Sequence, residues 1–218
     1  MEYKIKEVLP RIFAVEVGDS YNRAMLFLRS QEFYESPFED FRGHHFDVFD
    51  FMVRYREWKG LDYFSYPEDW GGFNVPGELA EVCTKHAIVG YDMLPTKYDR
   101  IMHQIIKDVK AQVPDGEKYY LLGVDSFESS RTMQHELAHG LYYVNGAYKQ
   151  EMAYLVANLP LDIHHAMRMI LIDMGYCDDV IADEIQAYMA TGLMANMGEI
   201  PGIREELDKF KQVLNNFK

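Results

Sequence analysis

Turn-forming residues divide the second half of the chain into five segments that each have the length of a helix. The breaks fall at Asn145-Gly146, Pro160, Gly175 and Pro201-Gly202, because glycine and proline interrupt regular helices. We therefore predict helices at residues 130–144, 147–157, 161–174, 179–193 and 203–217. The pattern indicates that this half of the chain is wholly helical.

The first half mixes strand-like and helical patterns. Short apolar runs at 11–17 and 118–124 are typical of strands. Helices are predicted at 20–35, 45–58 and 96–113, and an ordered, aromatic-rich loop at 59–77, packed on the surface or along a cleft. We predict a single α+β domain over residues 1–218, with a small sheet, an N-terminal lobe at 1–115 and a mainly helical C-terminal lobe at 116–218.

Charge and composition exclude several classes of protein. The formal net charge of −13 argues against nucleic acid or an anionic membrane as a partner, because both would repel the chain. No apolar run approaches the roughly 20 residues that span a bilayer, and the N-terminus lacks the apolar core of a signal peptide. Cys83 and Cys177 lack CxxC spacing, so a disulfide framework and a cysteine metal site are not expected. We therefore expect the protein to be located in a reducing cytoplasm.

Residues 135–140 read His-Glu-Leu-Ala-His-Gly within the predicted helix 130–144. Residues four apart share a helix face, so His135 and His139 can direct both imidazoles at one ion. Glu136 lies about 100° round the helix, where it can reach a water on the metal without occupying a ligand position. Ser129 or Ser130 can cap the helix. The side opposite the histidines is apolar: Met133, Leu137, Leu141 and Val144.

A catalytic metal needs a third protein ligand. The candidates downstream are Glu151, Asp162, His164, His165, Asp173, Asp183 and Glu184. We favour Glu184, at the edge of the apolar stripe of the 179–193 helix, because an acidic group there needs a partner. Asp183 falls on the side predicted to be solvated. At most one of His164 and His165 can face the same site, and Glu151 is interpreted as a solvated carboxylate.

The His-Glu-x-x-His helix resembles that of the zincin metallopeptidases. With Glu184 as a later ligand, the arrangement is similar to the glutamate-zincin branch, and the resemblance implies a Zn²⁺ ion held by His135, His139 and Glu184. Tyr188 stands where that branch commonly has an aspartate bonded to a ligand histidine. If Glu184 is a ligand, that acceptor must come from elsewhere.

The resemblance also implies a reaction, the hydrolysis of a peptide bond in a peptide or protein substrate, with Glu136 as general base. Zincins usually add a tyrosine or histidine donor for the oxyanion, and Tyr143 lies on the motif side of its helix. The other candidates are Tyr142, Tyr148, Tyr188, His164 and His165. A strand near the motif helix would pair with the substrate; residues 119–124 are predicted for this, although an internal sheet strand fits the same pattern.

Other functions remain open at this point. The loop around Trp70 and Phe73 is a further candidate wall of the cleft. A zinc-binding protein without catalysis is one alternative, and a metal-dependent amidase acting on a non-peptide substrate is another. Glu136 favours catalysis, because a purely structural site would not need it.

Overall fold

The computed structural model describes residues 1–90, 94–128 and 130–218. It divides into two compact units, Met1–Glu128 and Ser129–Lys218. Within the described residues the first unit combines a small sheet with helices and the second is helical, which confirms the α+β class. The predicted lobes, 1–115 and 116–218, put the last strand in the second lobe, whereas it belongs to the sheet of the first unit.

The described strands form one mixed sheet in the order β1-β2-β4-β3. They are β1 (Lys4–Leu9), β2 (Ile12–Glu16), β3 (Phe73–Pro76) and β4 (Tyr120–Val124). β1 and β3 are antiparallel to their neighbours, while β2 and β4 pair in parallel. The strands β2 and β4 confirm the two strands predicted from the apolar runs. β1 and β3 were not predicted.

The strand β4 has no free edge. Leu121 pairs with Phe13 of β2 on one side and with Val75 of β3 on the other. A substrate peptide can add only to an unpaired strand edge. The prediction that residues 119–124 pair with an extended substrate is therefore wrong, and the alternative, an internal sheet strand, is confirmed.

Helices pack around the sheet in the first unit. They are α1 (Ser20–Glu35), α2 (Val48–Lys59), α3 (Tyr66–Asp69), α4 (Gly77–Val89) and α5 (Lys97–Lys110). Asp19, Asp47 and Thr96 cap α1, α2 and α5 by accepting hydrogen bonds from backbone N–H groups of the first turn. These three helices confirm the predictions, whereas α4 was not predicted.

The aromatic segment 59–77 is ordered and packed, as predicted, but it is not wholly irregular. It contains α3 and β3. Tyr66 and Phe73 are buried in the core of the first unit, and Trp70 packs against Tyr66 with ring centroids 6.2 Å apart. The segment therefore closes the core of this unit. Its role as a cleft wall stays a prediction.

Close packing of α1 on the sheet depends on a glycine. A Cβ atom at Gly123 of β4 would lie 2.6 Å from the ring of Phe27, so a larger residue would push α1 away. The ring of Phe27 also stacks on Phe73 of β3, with centroids 5.9 Å apart. The absent side chain at residue 123 thus lets the helix approach both strands.

A buried carboxylate lies on α1. Glu32 is 5 % exposed and accepts a 2.6 Å hydrogen bond from the hydroxyl of Tyr66. Burial raises the pKa of Glu32 to about 7, although hydrogen bonds from Tyr66 and Ser36 act in the opposite direction. Between about pH 4.5 and 7 the folded chain therefore holds a proton that the unfolded chain has lost.

We expect Glu32→Gln to stabilise the protein above pH 7. In the parent, the free energy of unfolding should fall by roughly 3 kcal/mol as pH rises from 4.5 to 7, because the folded state binds the extra proton. The glutamine variant should lack this decrease. Denaturant unfolding at pH 5 and pH 8 measures it, with the exposed Glu39→Gln as control. Equal pH dependence in the parent and Glu32→Gln would contradict the assignment.

The second unit contains the five helices predicted for this half, each confirmed within a few residues. They are α6 (Arg131–Val144), α7 (Gly146–Ala157), α8 (Leu161–Asp173), α9 (Ile181–Thr191) and α10 (Ile203–Phe217). The helix α9 is central, because it contacts α6, α7, α8 and α10. Gln186 of α9 is fully buried, so even polar positions of this helix face protein. None of the described helices of the chain is long and apolar enough to cross a bilayer.

Candidate metal centre

The helices α6 and α9 lie side by side and run in opposite directions. At the start of α6, Arg131 Nη2 donates to the carbonyl oxygens of Gly192 and Leu193, beyond the end of α9, at 2.7 and 2.6 Å. Two turns later, His139 Nδ1 lies 3.0 Å from Asp183 Oδ1 in the first turn of α9. This register brings the motif side of α6 against α9.

Local features at the two helix ends stabilise this register. Ser130 caps α6 by accepting from the N–H of Met133 at 3.0 Å, while Ser129 lies outside the described residues. The Arg131 guanidinium sits at the negative end of the α9 dipole. Gly192 has φ +137°, which side chains rarely adopt, and a Cβ there would lie 3.1 Å from Arg131 Nε. The glycine thus lets Arg131 reach both carbonyls.

Three ligand atoms converge between α6 and α9. His135 Nε2 and His139 Nε2 are 3.2 Å apart. Glu184 Oε2 lies 3.6 Å from His135 Nε2, and Glu184 Oε1 lies 3.5 Å from His139 Nε2. Tetrahedral ligands about 2.1 Å from one zinc ion are separated by about 3.4 Å. Among the described residues, these three form the group that could hold a metal ion, and one ligand atom from each lies within 4.8 Å of the others.

The other imidazole nitrogens have acceptors, which determines where the lone pairs point. His139 Nδ1 donates to Asp183 Oδ1. His135 Nδ1 lies 3.4 Å from Thr191 Oγ1, whose own hydroxyl donates to the carbonyl of Ala187 at 2.7 Å. With a proton on each Nδ1, both Nε2 lone pairs face the carboxylate of Glu184. An acceptor behind each imidazole is the usual arrangement around a metal-ligating histidine.

The cluster needs a positive charge. His139 and Glu184 are each 2 % exposed, and Glu184 Oε2 accepts no hydrogen bond. Burial disfavours the charged form of His139, but the carboxylates of Asp183 and Glu184 outweigh it and raise its pKa well above the ordinary value. Burial also opposes ionisation of Glu184, yet His139 lowers the pKa of that carboxyl. Without a metal ion, a proton on His139 balances the charge of the buried carboxylate. Binding of a metal ion would displace that proton.

Glu136 lies outside the group of ligand atoms and directly follows His135 on α6. Its side chain is buried, with 6 % of the residue exposed. Its charge contributes to the raised pKa of His139. This location agrees with a carboxylate near the ion that is not itself a ligand.

The acceptor that the sequence analysis left unassigned is Asp183. The prediction that Asp183 lies on a solvated side is wrong: its side chain is 16 % exposed and bonds to His139. Tyr188 instead packs its ring on His135, with centroids 4.5 Å apart. The aspartate next to Glu184 therefore makes the contact that the glutamate-zincin pattern assigns to residue 188.

The remaining candidates do not join the ligand group. Glu151 is exposed on α7, His165 is exposed on α8, and His164 is half-buried there. The predicted oxyanion donor, Tyr143, is half-buried near the end of α6. The group defined by convergent ligand atoms contains His135, His139 and Glu184, and their role as metal ligands stays a prediction.

Sequence reasoning missed the residues that support Asp183. Gln186 Nε2 donates to Asp183 Oδ1 at 2.8 Å, and the hydroxyl of Tyr148 donates to Gln186 Oε1 at 2.8 Å. Both Gln186 and Tyr148 are fully buried. A glutamine between Ile185 and Ala187 on an otherwise apolar part of the helix was the available signal, because a buried amide requires hydrogen-bond partners.

Comparison with known proteins gives no relative. No family model, no curated protein and no solved structure matches the chain. The argument about function therefore depends on the side chains of the site itself.

Proposed function

We propose that the chain is a zinc-dependent metallopeptidase in which His135, His139 and Glu184 hold the ion and Glu136 is the general base. One observation carries the proposal. Two imidazole nitrogens and a buried carboxylate converge at the spacing of tetrahedral zinc ligands, while each remaining imidazole nitrogen faces an acceptor. An incidental pair of histidines on a helix requires neither the convergence nor the buried carboxylate.

The number of ligands favours a catalytic site over a structural one. Structural zinc sites usually have four protein ligands, whereas catalytic sites have three and leave one position for water. The side chain of His135 is 16 % exposed, compared with 3 % for His139 and Glu184. The greater exposure of His135 supports the binding of a water molecule, and then of a substrate carbonyl oxygen, on that side of the cluster.

When bound, zinc supplies Lewis-acid activation of a water molecule and of the substrate carbonyl. The carboxylate of Glu136 takes the proton of the attacking water and returns it to the leaving amine nitrogen. The carboxyl group of Glu136 can transfer this proton only if it lies close to both the attacking water and the leaving amine nitrogen. Glu136 directly follows the ligand candidate His135 on α6, and this adjacency supports such a location.

A tyrosine hydroxyl is the proposed donor to the oxyanion. Tyr143 was favoured by its position on the motif side of α6. Tyr188 is a second candidate, because its ring packs directly on the imidazole of His135.

A zinc site without catalysis is the second candidate function. The deep burial of His139 and Glu184 favours it, because an ion held there would link α6 to α9 and stabilise the second unit. In that case zinc would raise the stability of the protein without any turnover.

Cleavage of a mixed peptide library by the zinc-loaded full chain tests the peptidase proposal. We expect cleavage products that disappear when a chelator removes the metal and return when zinc is added. Zinc-loaded protein that cleaves no peptide would support the second candidate. Cleavage that continues in excess chelator would contradict the metallopeptidase proposal, and a chain that binds no zinc would contradict both candidates.

A further inference from the structure

A chain of hydrogen bonds runs from α7 through α9 to the motif helix. It begins at the hydroxyl of Tyr148, passes through the amide of Gln186 and the carboxylate of Asp183, and ends at His139. The three contacts are 2.8, 2.8 and 3.0 Å long. The inner part of the chain is shielded from solvent, because Tyr148 and Gln186 are fully buried.

Chemistry permits one direction of donation along this chain. An ionised Asp183 can only accept, so Gln186 must present its NH₂ group to Asp183 and its oxygen to Tyr148. Tyr148 must then donate its O–H, and His139 must donate from Nδ1. This leaves Nε2 of His139 to face His135 and Glu184, where metal binding would displace the proton of the metal-free cluster.

We propose that Gln186 and Tyr148 are positioning residues that set the metal affinity of the site by holding Asp183 against His139 Nδ1. The inference rests on the metal site proposed above. Asp183 stands in the first turn of α9, where its carboxylate has other rotamers. The amide of Gln186, itself held by Tyr148, selects the rotamer in which Oδ1 accepts from His139.

Gln186→Met tests the hydrogen bond from Gln186 to Asp183, because methionine has a similar length and donates no hydrogen bond. We expect zinc to bind 10- to 100-fold more weakly, the usual effect of losing an outer-shell partner. Zinc affinity is measured by competition with a chromophoric chelator. The visible spectrum of bound Co²⁺ should shift as well, because the orientation of the His139 ligand changes.

A double-mutant cycle distinguishes positioning from a general loss of stability. If Gln186 acts through Asp183, Gln186→Met should weaken zinc binding little further in an Asp183→Ala background. If the two substitutions acted through independent packing effects, their losses of zinc affinity would add in the double variant. Exposed residues of α7 supply matched controls: Gln150→Met and Tyr154→Phe should leave zinc affinity unchanged.

Tyr148→Phe keeps the test decisive if Gln186→Met does not fold. This variant removes one hydroxyl, and we expect zinc affinity to fall several-fold in the parent and not at all in Asp183→Ala. Unchanged zinc affinity in Tyr148→Phe and Gln186→Met, or effects that add to Asp183→Ala, would overturn the positioning role alone. A parent protein that binds no zinc would overturn the metal site together with this inference.

Discussion

Glu184→Ala is expected to weaken zinc binding by more than about 100-fold, beyond the usual effect of outer-shell substitutions. Its carboxylate lies 3.5 and 3.6 Å from the two imidazole nitrogens, so removing it leaves two protein ligands. Zinc content after dialysis and a competition titration measure the loss.

Glu151→Ala is the matched control for this experiment. Glu151 is an exposed glutamate on α7, and it was a rival candidate for the third ligand. The Glu151→Ala variant should retain zinc with parental affinity. Zinc retained by Glu184→Ala but lost from Glu151→Ala would refute the assignment of the third ligand.

Glu136→Gln is expected to retain zinc and to lower the rate of peptide cleavage by about 10²- to 10⁴-fold, the usual contribution of a general acid-base group. Glutamine keeps the shape of the side chain but cannot take a proton from water. Zinc content and the cleavage rate must be measured on the same preparation, because we predict that the variant retains its zinc while its cleavage rate falls.

Glu151→Gln supplies the control for the change of charge and should cleave at the parental rate. Cleavage by Glu136→Gln at that same rate would refute the role of Glu136 as base. Loss of zinc from Glu136→Gln would instead make Glu136 part of the metal-binding group.

The sequence predicts the helical half well because its signals are local. Asn145-Gly146, Pro160 and Gly175 follow shortly after the ends of α6, α7 and α8, and the spacing of apolar residues indicates the buried faces. The first half was less predictable. β1 is an edge strand with no buried residue and a charged sequence. β3 has four residues and ends in Pro76, and α4 starts without a capping side chain.

The same contrast holds within the site. His135 and His139 could be paired from the four-residue spacing alone, and Glu184 from its place at the edge of an apolar stripe. Asp183 was placed in solvent because the helical wheel assumes that one face of a helix is buried. The helix α9 contacts α6, α7, α8 and α10, so residues on other sides of it also meet protein. Those contacts depend on tertiary packing, which cannot be inferred from the spacing of apolar residues in the sequence.

Zinc titration combined with X-ray absorption spectroscopy of the loaded full chain tests the metal centre most directly. We predict one zinc ion per chain, bound by two imidazoles and by oxygen ligands, with metal–ligand distances of about 2.0–2.2 Å. His139→Ala should lose one imidazole from the spectrum or lose the ion. A chain that binds no stoichiometric zinc, or a bound ion with fewer than two imidazoles, would contradict a centre built on His135 and His139.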